Sequence, residues 1–295
     1  MVKRMRGTAV RTGSEPESVT GEGSPTCPVC SGPVRLEFRL PDRGIYRCRR
    51  SACTLRFAFP QPNDQALKDF YNHCYYGEGS PVYENTPEAY LHDLVTALDR
   101  QIGGIRGKSV LDFGCGIGRL VGLFTAAGAK LVEGIESDAD ARAVVQDSLG
   151  LEIQSSVEEL RHLQPDARYD LITMKDVIEH VRSPVQTLME LRGLLAPGAW
   201  LLVSTPDVES ARARLVGMRW DNYQNPTHLF YFSARSLCHV LRLVGFTELV
   251  VWQPLLGYPG HSPPRKIIQA VLQHTGLDGA LHVLARTRAL QSAGR

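Results

Sequence analysis

Apolar and polar positions along this chain alternate between two rhythms. Short apolar runs of strand length at 109–113, 131–135, 151–154, 169–174 and 200–204 are separated by stretches whose apolar residues recur every three or four positions. Those stretches carry helix punctuation: 119–127 ends at Gly128, 138–149 ends at Gly150, and Ser183-Pro184 opens a third helix with Gln186 placed to complete a capping box. Upstream, Thr86 is placed to cap a helix with Pro87 at its first position. Its apolar face is Leu91, Leu94, Val95, Leu98 and Ile102, and Gly103-Gly104 ends it. Downstream, Ser233 opens a helix bearing Leu237, Val240, Leu241 and Val244 on one face, and 246–252 and 281–285 read as the sixth and seventh strands. Strand-then-helix repetition predicts an α/β fold, a seven-stranded, mostly parallel sheet with helices on both faces, whose ligand sits beyond the carboxyl ends of the strands.

Outside that region the rhythm changes. Residues 1–25 are Arg-, Gly-, Ser-, Thr-, Glu- and Pro-rich without periodicity, which predicts a disordered tail; its basic start, Val2 to Arg6, could touch RNA, but a solvated tail is the plainer reading. Residues 26–62 hold paired cysteines between β-like runs at 34–38 and 55–59 and close on Pro60-Gln61-Pro62. A helical cap and linker follows over 63–106, with Phe70, Tyr71, Tyr75 and Tyr76 around His73 and Cys74, and the main domain spans 107–290. Within it, 253–280 carries Pro254, Pro259, Pro263 and Pro264 before an amphipathic stretch at 267–272. This insertion is predicted to cover a pocket or to join two copies as a homodimer.

Charge narrows little. Thirty-three Lys and Arg against 31 Asp and Glu, in 295 residues, leave a net charge of +2, which supplies no general pull toward nucleic acid or a membrane surface. No long apolar run and no leader-like amino end are present, so the expectation is a soluble cytoplasmic protein. The seven cysteines are more telling. Cys27-x-x-Cys30 and Cys48-x4-Cys53, 17 residues apart, have the spacing of two knuckles presenting four thiolates to a structural zinc, with disulfides the weaker reading.

The densest chemistry lies at 109–120. A strand ends on Asp112, and Gly114, Gly116 and Gly118 then alternate into a helix, letting main chain approach a ligand where a Cβ would collide. The spacing is Gly-x-Gly-x-Gly, whereas dinucleotide loops use Gly-x-Gly-x-x-Gly. The second strand ends in Gly134-Ile135-Glu136, 24 residues past Asp112, and its carboxylate is placed to accept ribose hydroxyls. Two acids flanking one crevice disfavour a pyrophosphate and favour a ligand with an ammonium and a sulfonium. Through 110–118, 134–136 and 169–174 the chain resembles the class I S-adenosylmethionine-dependent methyltransferases, and the sheet is then the Rossmann-like methyltransferase sheet, preceded by a small β-rich zinc ribbon. The resemblance places the cofactor's methionine part on Asp112, Gly114, Cys115, Gly116 and Gly118. Its ribose falls to Glu136 beside Ser137 and its adenine to Ser156 and Val157, with Lys175 and Asp176 contacting it after the fourth strand.

Two further stretches resemble the small-molecule branch that includes ubiquinone-biosynthesis O-methyltransferases. In Met174-Lys175-Asp176-Val177-Ile178-Glu179-His180-Val181, some members are reported to hold a divalent ion, here on Asp176, Glu179 and His180; if the segment is helical, one face could present all three. Hydrogen bonding beside the cofactor by Glu179 and His180 is the preferred alternative. The stretch from Trp220 to Ser233 matches that branch's acceptor side. It offers His228 as first candidate base, with His180 the other candidate catalytic histidine, and Tyr75, Tyr76, Trp220 and Tyr223 as pocket walls. Phe59-Pro60-Gln61-Pro62 and Phe70-Tyr71 match the segment that follows a zinc ribbon in many such enzymes. These features predict methyl transfer to a small-molecule acceptor, most readily at oxygen, with nitrogen or carbon also open and no nucleic acid or membrane partner. The alternatives are an rRNA base methyltransferase, kept open by Arg47, Arg49 and Arg50, and a non-catalytic assembly protein.

Overall fold

The structure, a computed structural model, describes residues 25–70, 86–252, 254 and 279–287. The tail, the Tyr71–Tyr76 aromatics and most of the 253–280 insertion lie outside the described residues. The ribbon comprises β1 (Val34–Arg39), β2 (Gly44–Cys48) and β3 (Arg56–Phe59), followed by α1 (Asp64–Phe70). After α2 (Glu88–Gln101) the alternation begins: β4 (Ser109–Phe113), α3 (Arg119–Ala126), β5 (Leu131–Ile135), α4 (Ala139–Leu149), α5 (Val157–Leu163), β6 (Tyr169–Lys175), α6 (Pro184–Arg192) and β7 (Leu195–Pro206). Short helices α7 (Ala211–Val216) and α8 (Asp221–Gln224) lead to β8 (Phe230–Tyr231), α9 (Ala234–Val244), β9 (Glu248–Trp252) and β10 (Ala280–Arg286).

The main sheet has six strands in the order β5-β4-β6-β7-β10-β9, parallel through β7, with β10 antiparallel to both neighbours. Alternate residues of the same strands enter opposite cores, as period-two side chains must. Val110, Leu171, Leu202 and Leu284 pack under α2 and α3, whereas Leu111, Ile172, Leu201 and Val283 pack under α6 and α9. Among the described residues no helix is long and apolar enough to cross a membrane.

The predicted strand at 151–154 is reduced to one bridge, Ile135 to Gln154. Local hydrogen bonds pull the chain off the sheet edge at once: the Glu159 carboxylate accepts from the Ser155 N–H at 2.6 Å and Ser156 caps α5. Helix starts also shift. Pro87 occupies the cap position of α2 with extended geometry, so the helix begins at Glu88, one residue later than read. At α6, Gln186 donates to Glu190 at 2.8 Å, four residues on, so no capping box forms at Ser183. Ser233 does form a full capping box, with Ser236.

The ribbon sheet runs β1-β2-β3-β8, so its fourth strand comes from the chain segment just after His228. Arg56 pairs with Tyr231 and Phe57 with Phe230, and the Ala58 N–H donates to the Leu229 carbonyl at 3.0 Å.

Candidate active site

From β4 the chain crosses outward to β5 and then returns to the other flank of β4 as β6, so the connections leaving the two neighbours diverge and open a crevice at their carboxyl ends. A cavity of about 430 Å³ lies there. The β4 loop contributes Asp112, Gly114, Cys115 and Gly116, the end of β6 contributes Lys175, Asp176, Glu179 and His180, and the segment after α7 contributes Asn222, Asn225 and His228.

Asp112 is 3% exposed and accepts from Thr173 Oγ1 at 2.6 Å. Burial pushes its pKa up to about 6, against the pull of the Thr173 hydroxyl and the Lys175 ammonium. Glu136, on the next strand, turns back toward the same loop. Its Oε2 accepts from the Gly116 N–H at 2.9 Å, while Oε1 accepts from the Asp138 N–H at 3.0 Å and the Ser137 hydroxyl at 3.4 Å. A carboxylate thus fixes the main chain of the loop that a ligand would meet. Burial also pushes the Cys115 thiol up, and the nearby Asp112 and Glu136 charges add to that, so Cys115 stays neutral.

Gly114 has φ of +74° and a Cβ there would stand 2.4 Å from Val177 Cγ2. Alanine at this position is expected to cost about 2 kcal/mol or more through the left-handed backbone and the clash, and to push the Val177 turn outward. A thermal melt should show the loss; a Gly114→Ala protein melting with the wild type would contradict this geometry.

Residues 176–181 are not helical. Asp176 has φ of +53° and pairs with Lys175, and although it lines the same cavity its carboxylate is not among the ligand-type atoms that gather at Glu179 and His180, so the predicted ion set is not the one brought together. His228 takes its place: the ligand-type atoms of Glu179, His180 and His228 lie within 4.8 Å of one another. Glu179 is 1% exposed; Oε2 accepts from Thr205 Oγ1 at 2.9 Å, and Oε1 has no hydrogen-bond partner among the described residues. Burial, with the Asp176 charge added, pushes Glu179 up to about 8. His180 Nδ1 lies 3.0 Å from the Thr227 carbonyl, which can only accept, so Nδ1 carries the proton and Nε2 faces Glu179 Oε1 at 3.9 Å as an acceptor when the ring is neutral. Burial pulls His180 down to about 4 and drives His228 well below its ordinary value; the two rings meet edge to face at 4.6 Å.

Other expected positions fall elsewhere. Gly118 caps α3 in the left-handed conformation. Ser156 caps α5 and Val157 enters the core beneath it; both follow the Glu136 N–H to Gln154 carbonyl bond of 2.9 Å and do not line the cavity. Trp220 and Tyr223 are buried against Ile45 and Phe38 of the ribbon, with Tyr223 edge-on to Phe38 at 4.9 Å, so they anchor the segment rather than wall the pocket. Asn222 and Asn225 provide that wall. No signal in the sequence separated them from ordinary loop amides.

At the ribbon, Cys27 Sγ lies 3.7 Å from Cys53 Sγ and Cys30 Sγ lies 3.5 Å from Cys48 Sγ, with all four sulfurs within 4.8 Å. These are well beyond the S–S bond of about 2.05 Å and close to the ~3.8 Å edge of a tetrahedron with metal–sulfur bonds of about 2.3 Å. Burial pushes the Cys48 thiol up to about 11 while the hydrogen bond from Cys53 pulls the Cys27 thiol down to about 5, and the four sulfurs together have the spacing and donor set that could hold a metal ion.

A family model described as a methyltransferase domain matches residues 84–250, more than half of the chain. The ubiquinone biosynthesis O-methyltransferase of Aeromonas salmonicida is 31% identical over 134 residues, covering 44% of this chain and 54% of that protein. The tRNA U34 carboxymethyltransferase of Hydrogenovibrio crunogenus is 27% identical over 157 residues, covering 50% and 47%. The chain thus spans about half the length of the curated relatives it matches. In fold it is similar to the 1,6-didemethyltoxoflavin-N1-methyltransferase of Burkholderia thailandensis, solved with bound 1,6-didemethyltoxoflavin and S-adenosylhomocysteine: TM-score 0.52 at 16% identity, over 86% of this chain and 99% of that one. With the matching domain, the sheet order and two buried acids converging on a glycine loop, the chain belongs to the class I S-adenosylmethionine-dependent methyltransferase family.

Proposed function

We propose that this protein transfers a methyl group from S-adenosylmethionine to a small-molecule acceptor, at oxygen. The observation that carries the reading is Asp112, a buried carboxylate at the end of β4 beside a loop whose Gly114 leaves no room for a Cβ. A fixed negative charge in a desolvated cradle suits the ammonium of a methionine and repels phosphate. In this reading Asp112 and main chain at Gly114, Cys115, Gly116 and Gly118 hold the methionine part. Glu136 with Ser137 receives the ribose, the adenine extends past the cavity toward Ser156 and Val157 at the start of α5, and Lys175 and Asp176 stand at the methyl end. When bound, the cofactor supplies an electrophilic methyl on a sulfonium.

The chain's own residues then align and deprotonate the acceptor. With the methyl so supplied, the acceptor's hydroxyl proton would have to leave as the new bond to oxygen forms, and an imidazole nitrogen of His228 would receive it. His228 is neutral near pH 7 because burial disfavours its cation, so the accepting nitrogen is available. His180, held by the Thr227 carbonyl, packs edge-on to His228 and fixes its ring plane. The four ribbon cysteines fit a closed tetrahedral zinc with a structural role. A second reading, an RNA acceptor, is favoured by the ribbon's exposed Arg35, Arg39, Arg49 and Arg50; binding to tRNA that weakens steeply with salt would support it.

Isothermal titration tests the main reading. The wild type is expected to bind both S-adenosylmethionine and S-adenosylhomocysteine, and Glu136→Ala to weaken both by about tenfold or more through loss of the ribose acceptor and of the Gly116 tether. A wild type that binds neither ligand overturns it.

A further inference from the structure

Arg43 stands in the turn between β1 and β2, where arginine is ordinarily solvated, yet its side chain is only 3% exposed. Nη1 donates to Asp42 Oδ2 at 2.7 Å. Nη2 donates to two main-chain carbonyls 180 residues and more away in sequence, Tyr223 at 2.8 Å and Asn225 at 2.9 Å. These carbonyls lie at the end of α8, a four-residue helix, and the Asn225 carbonyl also accepts from the His228 N–H at 3.2 Å, which ties the gripped backbone directly to that histidine. Nε of Arg43 has no hydrogen-bond partner among the described residues, so the guanidinium is held by this one arrangement with little to spare.

What Arg43 grips is the cavity wall. Asn222 and Asn225 line the cavity, and Asn225 Oδ1 accepts from the Thr227 N–H at 3.0 Å and its hydroxyl at 2.8 Å. The Thr227 carbonyl in turn accepts from His180 Nδ1, and His228 follows directly. Three residues later the same segment is clamped again, by β8 pairing with β3. The cysteine cluster adjoins this second clamp: Cys27, Cys48, Cys53, Leu55 and Phe57 share one apolar core with Leu229 and Phe230. By contrast, the partners described above for Asp112 and Glu136 are Thr173, Gly116, Ser137 and Asp138, all on the main sheet and its loops.

We propose that Arg43 is a positioning residue through which the cysteine-bearing ribbon sets the acceptor wall at 222–228, so that the ribbon governs acceptor-side geometry independently of the cofactor side. The ribbon is thereby part of the acceptor site, and stripping metal from its cysteines loosens His228 without emptying the Asp112 pocket. This rests on reading the cavity as a methyl-transfer site, and the test keeps the two apart.

Hydrogen exchange of the full chain, followed by mass spectrometry, is compared for the wild type, for the wild type after a metal chelator, and for Arg43→Gln and Arg43→Lys, with S-adenosylhomocysteine affinity measured in parallel. In Arg43→Gln the amides of 223–231 are expected to exchange about tenfold faster, while those of 109–118 and the affinity for S-adenosylhomocysteine stay within about twofold. Arg43→Lys, whose ammonium can still donate to both carbonyls, restores most of the protection, and chelation reproduces the Arg43→Gln pattern. Unchanged exchange at 223–231 in Arg43→Gln overturns the proposal, as does equal loosening at 109–118, and as does failure of lysine to rescue. If Arg43→Gln does not fold, the chelated wild type and Arg43→Lys decide by the same comparison of segments. A wild type that binds no S-adenosylhomocysteine overturns only the methyl-transfer reading, because the exchange comparison needs no ligand.

Discussion

Asp112→Ala is expected to weaken S-adenosylmethionine binding by about a hundredfold, roughly 3 kcal/mol, measured by titration calorimetry. The carboxylate is buried, is oriented by the Thr173 hydroxyl, and is the acid the β4 loop presents to the cavity. Asp112→Asn separates charge from shape: it can keep a hydrogen bond to Thr173 but lacks the charge, and should bind as poorly as alanine. An asparagine variant with near wild-type affinity would place the ammonium elsewhere.

The same residue sets a pH dependence. Its folded pKa, pushed up to about 6 from 3.8, means the ligand-free fold holds a proton there more tightly than the unfolded chain does. That contribution to stability is complete below pH 3.8 and is lost as pH rises through about 6. A cationic ligand reverses the balance by favouring the carboxylate. Ligand affinity should therefore fall about tenfold per pH unit below pH 6 and level off above it. The rise in melting temperature caused by S-adenosylhomocysteine should grow between pH 5 and 7 and then stay constant; a rise independent of pH across that window would contradict the assignment.

Loss of a metal from the four ribbon cysteines is the second large effect expected. The wild type is expected to carry one zinc per chain by elemental analysis, and Cys53→Ser to lose it and to melt about 10 °C lower or more. Cys27, Cys48 and Cys53 are at most 2% exposed and lie in the core shared with β8 and α9, so their thiolates cannot turn to water when the cation is gone. A folded wild type free of metal, melting like Cys53→Ser, would rule the zinc out.

The strand–loop–helix at 109–120, the acid at 136 and the cysteine pairs were legible because each is a local pattern. Alternating apolar residues, glycines where φ must be positive, and ligand spacings all lie within a window of some thirty residues. Divergence began where two windows had to meet. The Asp176 ion set assumed a helix, but the chain turns left-handed at Asp176 and brings His228, 52 positions from Asp176, to Glu179 instead. Trp220 and Tyr223 looked like pocket walls because their neighbours were unknown; the ribbon, nearly two hundred residues earlier, turned out to be what they cover.

Periodicity and residue chemistry alone therefore established the α/β class, the glycine loop with its two acids, and four cysteines at metal-ligand spacing. These are properties of single elements, fixed by side-chain period, backbone sterics and charge. Tertiary packing decided that β8 completes the ribbon sheet, that Arg43 grips the end of α8, and that Glu179, His180 and His228 meet over one cavity. Such contacts join residues 47 to 182 positions apart, and they depend on how whole elements dock, which no local pattern of apolar and polar residues encodes.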